Sequence, residues 1–460
     1  MFNDEQLCSK LRGVKWHNTL HLYPLTSGEL TTKKNLNDYL IWDNKIKKML
    51  FSNYDLAKLL MFCDGLNSTK EIIKKICKGN KKQNYIKKQI AQSLQKLYED
   101  KIIVFQKNPN KVPIRIRTNN LKYPLNMAYL ELTQNCNFSC IHCYLNAPDF
   151  TKRRRITELT TKQYFKIIDL LDGLGVISII VTGGEPFLRK DILDILNYIN
   201  SKHISLSILT NGSLLKDKDI QQLKMLGLKK IAISLDSHLE KTFKKIRNPT
   251  TYKKVVTNIR KIIAYKIPLE INAVLFKNLN NSYNHLTNFF VFLKKLGLKR
   301  KNITCDIFMP VGAGKNKRYL KLDEIGTLNN LDLAYRRVFH RSYIQKQKES
   351  INNKTYNSFC GVGREMIYIG SEGNIFLCPG LRNDDLLLGN IFKDNFKGIW
   401  ANPSLFKYFR NKTYLEDSEC KSCRFVKLCD GGCKARAMHF YGKLNSKDSW
   451  MCAYYERNKR

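Results

Sequence analysis

Three cysteines, Cys136, Cys140 and Cys143, stand at CxxxCxxC spacing within TQNCNFSCIHCYLNAP. Three thiolates on one loop can hold three irons of a four-iron cluster. The fourth iron is then open to an outside ligand. A structural zinc site wants four closed ligands, and no fourth cysteine lies nearby. His142 is the nearest alternative donor, but its place between two of the cysteines directs it elsewhere.

A second group fills the last ~100 residues. Cys360 is followed by Gly373 and Cys378, then by Cys420-x2-Cys423-x5-Cys429-x3-Cys433, and finally by Cys452. Fourteen cysteines in a reducing compartment read as metal ligands where they cluster. CxxC knuckles also bind zinc, so spacing alone leaves both metals open here. This segment is expected to be short in secondary structure and stapled by metal. Cys8, Cys63 and Cys77 lie in the N-terminal part, the last two at apolar helix positions that suit a core. Cys305 sits in an apolar run and could face a cavity, as a weak candidate for hydrogen-atom donor or extra cluster ligand. The default is a buried structural thiol.

The elements that position the first triad follow a repeating pattern. Apolar runs at 127–132, 176–183, 204–212, 230–236, 270–276 and 303–309 alternate with amphipathic stretches such as 162–174, 191–202 and 252–265. Near-continuous apolar strands, each followed by a helix, predict an α/β parallel sheet covered by helices. Six units fall short of the eight in a complete barrel. A partial (β/α)6 TIM-like barrel, open on one side, is expected. The triad falls just past the first strand, where catalytic loops of parallel barrels lie.

Polar residues gather at the following strand ends. Gly183, Gly184, Glu185 and Pro186 follow the second strand, and Thr210-Asn211-Gly212 ends the third. Ser234 and Asp236 end the fourth, Arg247 follows on the next helical segment, and Pro310-Val311-Gly312 ends the sixth. Two glycines let backbone approach a ligand closely. Singly, each of these is more often a turn or a helix cap.

Together with Tyr144 after the last cysteine, these features resemble the radical SAM superfamily. The resemblance implies a [4Fe–4S] cluster on Cys136, Cys140 and Cys143 whose open iron chelates S-adenosylmethionine. One electron then breaks a carbon–sulfur bond and releases a 5′-deoxyadenosyl radical. Tyr144, Gly183, Gly184, Glu185, Asn211, Ser234, Asp236, Arg247 and Gly312 are the implied cofactor-binding set. Glu185 would pair with the methionine ammonium, Arg247 with the carboxylate, and Gly312 would let backbone meet adenine. The later cysteines resemble the SPASM extension. That resemblance implies one auxiliary cluster on Cys420, Cys423, Cys429 and Cys452, and another on Cys360, Cys378 and Cys433. Some SPASM members carry an eighth cysteine where this chain has Met366, which leaves the second cluster an open iron or a non-cysteine ligand.

The first ~110 residues read as a small α+β unit. Helices are expected at 54–63, 71–77 and 86–98, and short strands at 21–25, 39–42 and 102–105. DGLNSTKEI and LQKLYEDKIIVF resemble the PqqD-like winged-helix domain, which implies recognition of a peptide leader. A generic winged helix could bind nucleic acid instead. Three domains follow: 1–115, 120–320 and 350–460.

Lys and Arg number 80 against 39 Asp and Glu, a net charge of +41. A surface that basic suits an acidic partner. An AT-biased genome would give the same excess of Lys, Asn and Ile. No apolar run approaches the ~20 residues of a membrane span, and MFNDEQLCSKLRG lacks a signal-peptide core, so a cytoplasmic protein is expected. The combined expectation is an enzyme that modifies a ribosomally made peptide, by a thioether or carbon–carbon crosslink or related hydrogen abstraction. A precursor peptide with an acidic leader and a one-electron donor such as flavodoxin or ferredoxin would be its partners. The alternatives are a maturase of the sulfatase-maturing type, a small-molecule enzyme, and a redox-sensing nucleic-acid-binding regulator.

Overall fold

The computed structural model describes Tyr23 to Arg457, apart from residues 27–29, 36–37, 44–47, 53, 79–82, 100–101, 107–108, 110–113, 118–120, 122, 146–156, 248–250, 344–359 and 411–417. Residues 1–22, with Cys8, lie outside the described part. The chain divides into two compact units. The first runs to Pro124 and takes in Asp172–Ile177 and Ser201–Ser205; the second is the remainder.

In the first unit β1 (Tyr23–Thr26) pairs antiparallel with β5 (Ile103–Gln106). A separate sheet holds β2 (Leu30–Asn35), β3 (Asp38–Asp43) and β4 (Lys48–Ser52) as an antiparallel meander, with β6 (Ile114–Arg117) parallel to β2. Three helices follow the meander: α1 (Tyr54–Phe62), α2 (Thr69–Cys77) and α3 (Gln83–Glu99). Ser68 starts α2 through a capping box. Its hydroxyl accepts from the Glu71 backbone at 3.3 Å, and the Glu71 carboxylate accepts from the Ser68 backbone at 2.7 Å. Leu59, Leu60, Cys63, Ile72, Cys77, Ile90, Leu94 and Leu97 form the core. Cys63 and Cys77 are thus packing residues. Strands β2 and β4 carry no strong apolar alternation and the alternation of β6, IRIR, spans only four residues, so none of the three was expected.

The second unit is built on six parallel strands: β7 (Met127–Glu131), β8 (Ser178–Thr182), β9 (Ser205–Thr210), β10 (Lys230–Ser234), β11 (Leu269–Leu275) and β12 (Ile303–Ile307). Their spatial order is their chain order. Helices α4 (Thr161–Gly173), α5 (Ile192–Ser201), α6 (Asp217–Met225), α7 (Glu240–Arg247), α8 (Tyr252–Ala264) and α9 (Tyr283–Lys295) intervene, and α10 (Glu324–Phe339) follows β12. Each buries one stripe. In α4 it is Tyr164, Ile167, Ile168 and Leu171, an i, i+3, i+4, i+7 set.

The Cys-rich segment departs from expectation. It adds β13 (Met366–Ile369) parallel to β7, then β14 (Asn374–Phe376) and β15 (Gly389–Asn390) antiparallel, giving one nine-stranded sheet. It also owns a core: Ile367, Tyr368, Ile369, Ile375, Phe376 and Trp400 are buried. These strands are too short to read alone. Their partner β7 lies more than 200 residues upstream, and pairing with it is what makes MIYI a strand.

Candidate active site

The cysteine loop leaves the end of β7 and is sewn by backbone to the segments after β8 and β12 and to the last turn of α7. Gly184 N donates to Thr133 O and Glu185 N to Asn135 O, both at 2.8 Å. Ile141 N donates to Ile246 O at 2.9 Å, and Ala313 N to Cys143 O at 2.9 Å. The glycines answer to this packing. A Cβ on Gly184 would lie 2.2 Å from Asn135 O, and one on Gly312 would lie 2.2 Å from Cys143 O. Gly183 has a φ of +141° and meets Thr133 O in the same way. The backbone these residues approach is therefore the cysteine loop itself.

Glu185 is fully buried. Its carboxylate accepts from Thr210 Oγ1 at 2.8 Å, Phe187 N at 3.1 Å and Asn211 N at 2.8 Å. Burial raises its carboxyl to about 7, against the pull of those donors. Asn211 commits its side chain to the cysteine loop: Nδ2 donates to Asn137 Oδ1, and Oδ1 accepts from Ser213 N, both at 2.9 Å.

Asp236 and Arg247 form a buried pair. Arg247 Nε donates to Asp236 Oδ2 at 2.5 Å and Nη2 to Oδ1 at 3.1 Å. Nη1 reaches Cys140 Sγ at 3.8 Å. Ser234, half-buried, ends β10 beside Asn272 of β11. His142 lies edge-on to Phe276, with ring centroids 5.1 Å apart.

Sequence reasoning missed a buried cluster around Glu131. This residue is fully buried, and its carboxylate accepts from Arg382 Nε at 2.8 Å, Ser371 Oγ at 3.0 Å and the Tyr368 hydroxyl. Tyr144 joins it through Tyr368, hydroxyl to hydroxyl at 3.3 Å. A glutamate inside the apolar run MAYLEL was the available signal.

The remaining thiols form two neighbourhoods. Cys378 feels Cys433 and Cys360, whereas Cys452 feels Cys420 and Cys423, and Cys429 feels Cys452 and Cys420. Met366 begins β13, beside Met127. Cys305 does not face the cavity. It is buried beside Ala273, on the apolar side of the sheet, because β12 turns the next residue inward.

The donor chemistry fits iron. Burial pushes the Cys136 thiol up to about 11 and Cys140 up to about 12; Cys136 also feels Cys143, and Cys140 feels both other thiols of the loop. Clustered buried thiols are poor free anions, and a metal's positive charge would draw off their protons.

Comparison with known proteins accords with this. Residues 130–290 match the Radical SAM superfamily, and residues 360–424 match SPASM, an iron-sulfur cluster-binding domain. The GTP 3′,8-cyclase of Clostridium botulinum is 30% identical over 315 residues, 66% of this chain and 96% of that protein. The mycofactocin maturase MftC of Mycobacterium tuberculosis is 25% identical over 311 residues, 66% of this chain and 77% of that protein. Streptococcus suis SuiB, solved with S-adenosylmethionine, shares the fold with a TM-score of 0.64 at 18% identity, over 93% of this chain and 99% of that one. With its precursor peptide SuiA bound, the TM-score is 0.63 at 17% identity, over the same shares of the two chains.

Proposed function

The chain belongs to the radical SAM superfamily, and we propose that it matures a ribosomally made peptide. Its cofactors are [4Fe–4S] clusters and S-adenosylmethionine. When bound, they supply hydrogen-atom abstraction from unactivated carbon.

The protein's own residues have assigned tasks in this reading. Cys136, Cys140 and Cys143 hold the SAM-binding cluster. Glu185 has three of its roughly four lone-pair sites filled by protein donors, which leaves one for a ligand ammonium. Arg247 pairs with Asp236 and sets a positive charge beside Cys140. Asn211 fixes the cysteine loop against the end of β9. Gly183, Gly184 and Gly312 let the strand-end loops close around that loop, and Tyr144 ties it to the Glu131 cluster. Cys420, Cys423, Cys429 and Cys452 hold one auxiliary cluster, and Cys360, Cys378 and Cys433 the other.

The peptide reading rests on one observation. The likeness to SuiB runs over 93% of this chain and so takes in the N-terminal unit. We read that unit as a PqqD-like leader-binding domain; its helices and strands, together with the +41 charge, suit an acidic leader. Among the described residues no helix is long and apolar enough to cross a membrane. A flavodoxin or ferredoxin would deliver the electron, in the cytoplasm.

A small-molecule substrate is the second reading, favoured by the 30% identity to the cyclase. The deciding experiment co-expresses the chain with short open reading frames beside its gene and weighs the peptides. Loss of two hydrogen atoms per crosslink, with 5′-deoxyadenosine formed, supports the peptide reading. 5′-Deoxyadenosine formed only with small metabolites supports the second.

A further inference from the structure

The inner face of the second unit's sheet carries a group the proposed reaction does not use. Along β11, Leu269, Ile271, Ala273 and Leu275 are buried, while Glu270, Asn272 and Val274 between them are part-exposed. Parallel pairing sets Val274 beside Asp306 and Asn272 beside Thr304. Side chains alternate along a strand, so Asp306 shares the face of Glu270 and Asn272.

Asp306 is exposed, yet burial by surrounding protein pushes its carboxyl above the usual range. Both hold when a side chain opens into a walled cavity. Arg436, Glu270 and Lys230 are the charges that reach it. All three are taken. Arg436 grips Asp448 through Nε at 2.9 Å and Nη2 at 2.7 Å, and Lys230 Nζ meets both Glu270 oxygens at 2.9 Å. Among the described residues Asp306 has no hydrogen-bond or ion-pair partner. Asn272 Oδ1, on the same face, is buried and accepts no hydrogen bond. Tyr129 feels Cys378, Cys360, Asp306 and Glu270 together, so charges from both sides of the barrel reach its hydroxyl.

Asp306 and the buried Asn272 Oδ1 are acceptors without donors, and the carboxylates around them, Asp306, Glu270 and Asp448, outnumber the cations Lys230 and Arg436, in a chain whose net charge is +41. The natural complement is a cation that also donates hydrogen bonds. We propose that Asp306 and Asn272 form a subsite for a basic side chain of the substrate. The inference rests on the peptide reading and names the residue class that enters the barrel.

The test uses the full-length protein with clusters and S-adenosylmethionine bound. Its carboxyls are labelled with a carbodiimide and glycinamide, and Asp306 is followed by mass spectrometry. Nα-acetyl-arginine methylamide is added, or its neutral isostere with citrulline in place of arginine. The arginine compound should slow labelling of Asp306 by about three-fold or more relative to the citrulline compound. Labelling of the exposed Asp217 should not change. Equal effects of the two compounds overturn the subsite. So does an Asp306 that resists labelling without either, because its carboxyl would not then face open space. In calorimetry, Asp306→Asn should lose the preference for arginine over citrulline, and a preference that survives also overturns it. Failure to modify any precursor peptide would sink the peptide reading and leave the labelling result intact. Modification without protection sinks the subsite alone.

Discussion

Arg247 reaches Cys140 Sγ at 3.8 Å while its other two nitrogens grip Asp236. One guanidinium thus joins the end of β10 to the cysteine loop. Asp236 Oδ1 also accepts from Val274 N at 2.8 Å, which extends the link to β11.

Removing that guanidinium should be costly. Arg247→Met leaves Asp236 buried without its partner, and breaking such a pair costs about 3–5 kcal/mol. Arg247→Lys keeps a charge but cannot span both oxygens. Melting temperatures should fall in the order wild type, Lys, Met. Adding Asp236→Asn to Arg247→Met should recover part of the loss. A Met variant as stable as wild type would contradict the pairing.

Glu185 gives the protein without S-adenosylmethionine a pH dependence. Its carboxyl rises from the ordinary 4.5 to about 7 on folding. Between these values the native state holds a proton that the unfolded state has lost. Stability contributed by this residue is therefore greatest below pH 4.5, declines as pH rises to 7, and is level above. Glu185→Gln removes the titration and also sets an amide N–H against backbone donors, at about 1–3 kcal/mol. Urea midpoints at pH 5 and pH 7.5 should differ less in the variant than in wild type. An equal difference would refute the assignment.

The glycines separate by environment. Gly184→Ala drives a Cβ to 2.2 Å from Asn135 O, and backbone must shift. A strongly destabilised protein with low iron content is expected. Gly173→Ala meets nothing within 4 Å and should be neutral or stabilising, by up to about 1 kcal/mol. Equal melting temperatures for the two would mean that the loops are not in backbone contact.

Iron content tests the two thiol neighbourhoods. Three clusters hold about twelve irons per chain, and loss of one leaves about eight. Cys420→Ala and Cys429→Ala should each give about eight, and so should their double variant. Combining Cys429→Ala with Cys378→Ala should give about four. A within-neighbourhood double variant at about four would show that the grouping is wrong.

Glu131 lies at the centre of a network that only folding assembles. Glu131→Ala removes the acceptor for Arg382, Tyr368 and Ser371 together, and a loss of about 3 kcal/mol or more is expected in denaturant unfolding. Tyr368→Phe removes one donor and should cost about 1 kcal/mol.

Much of the second unit is legible because its signals are local. Six apolar runs became six strands, and the stripes of α4, α5 and α8 fall at their expected spacing, since period follows from backbone geometry. The capping box at Ser68 and Glu71 is equally local. Strands β2 and β4, with sequences such as LTTKKN, carry no such signal, and IRIR in β6 alternates over too few residues to stand alone; all three depend on their neighbours.

The order of the thiols along the chain is fixed by sequence, and with it the chemistry that CxxxCxxC can support. Residue types at successive strand ends are fixed in the same way, because a parallel sheet delivers strand ends to one edge. Only the tertiary structure decided what those residues touch. Gly184 and Gly312 face the cysteine loop, Arg247 spans Asp236 and Cys140, and Glu131 finds Arg382 from 251 positions away. Strand parity turned Cys305 outward and Asp306 inward. A shift of one residue would have reversed them, and that register is set by pairing with β11, a contact that no local pattern encodes.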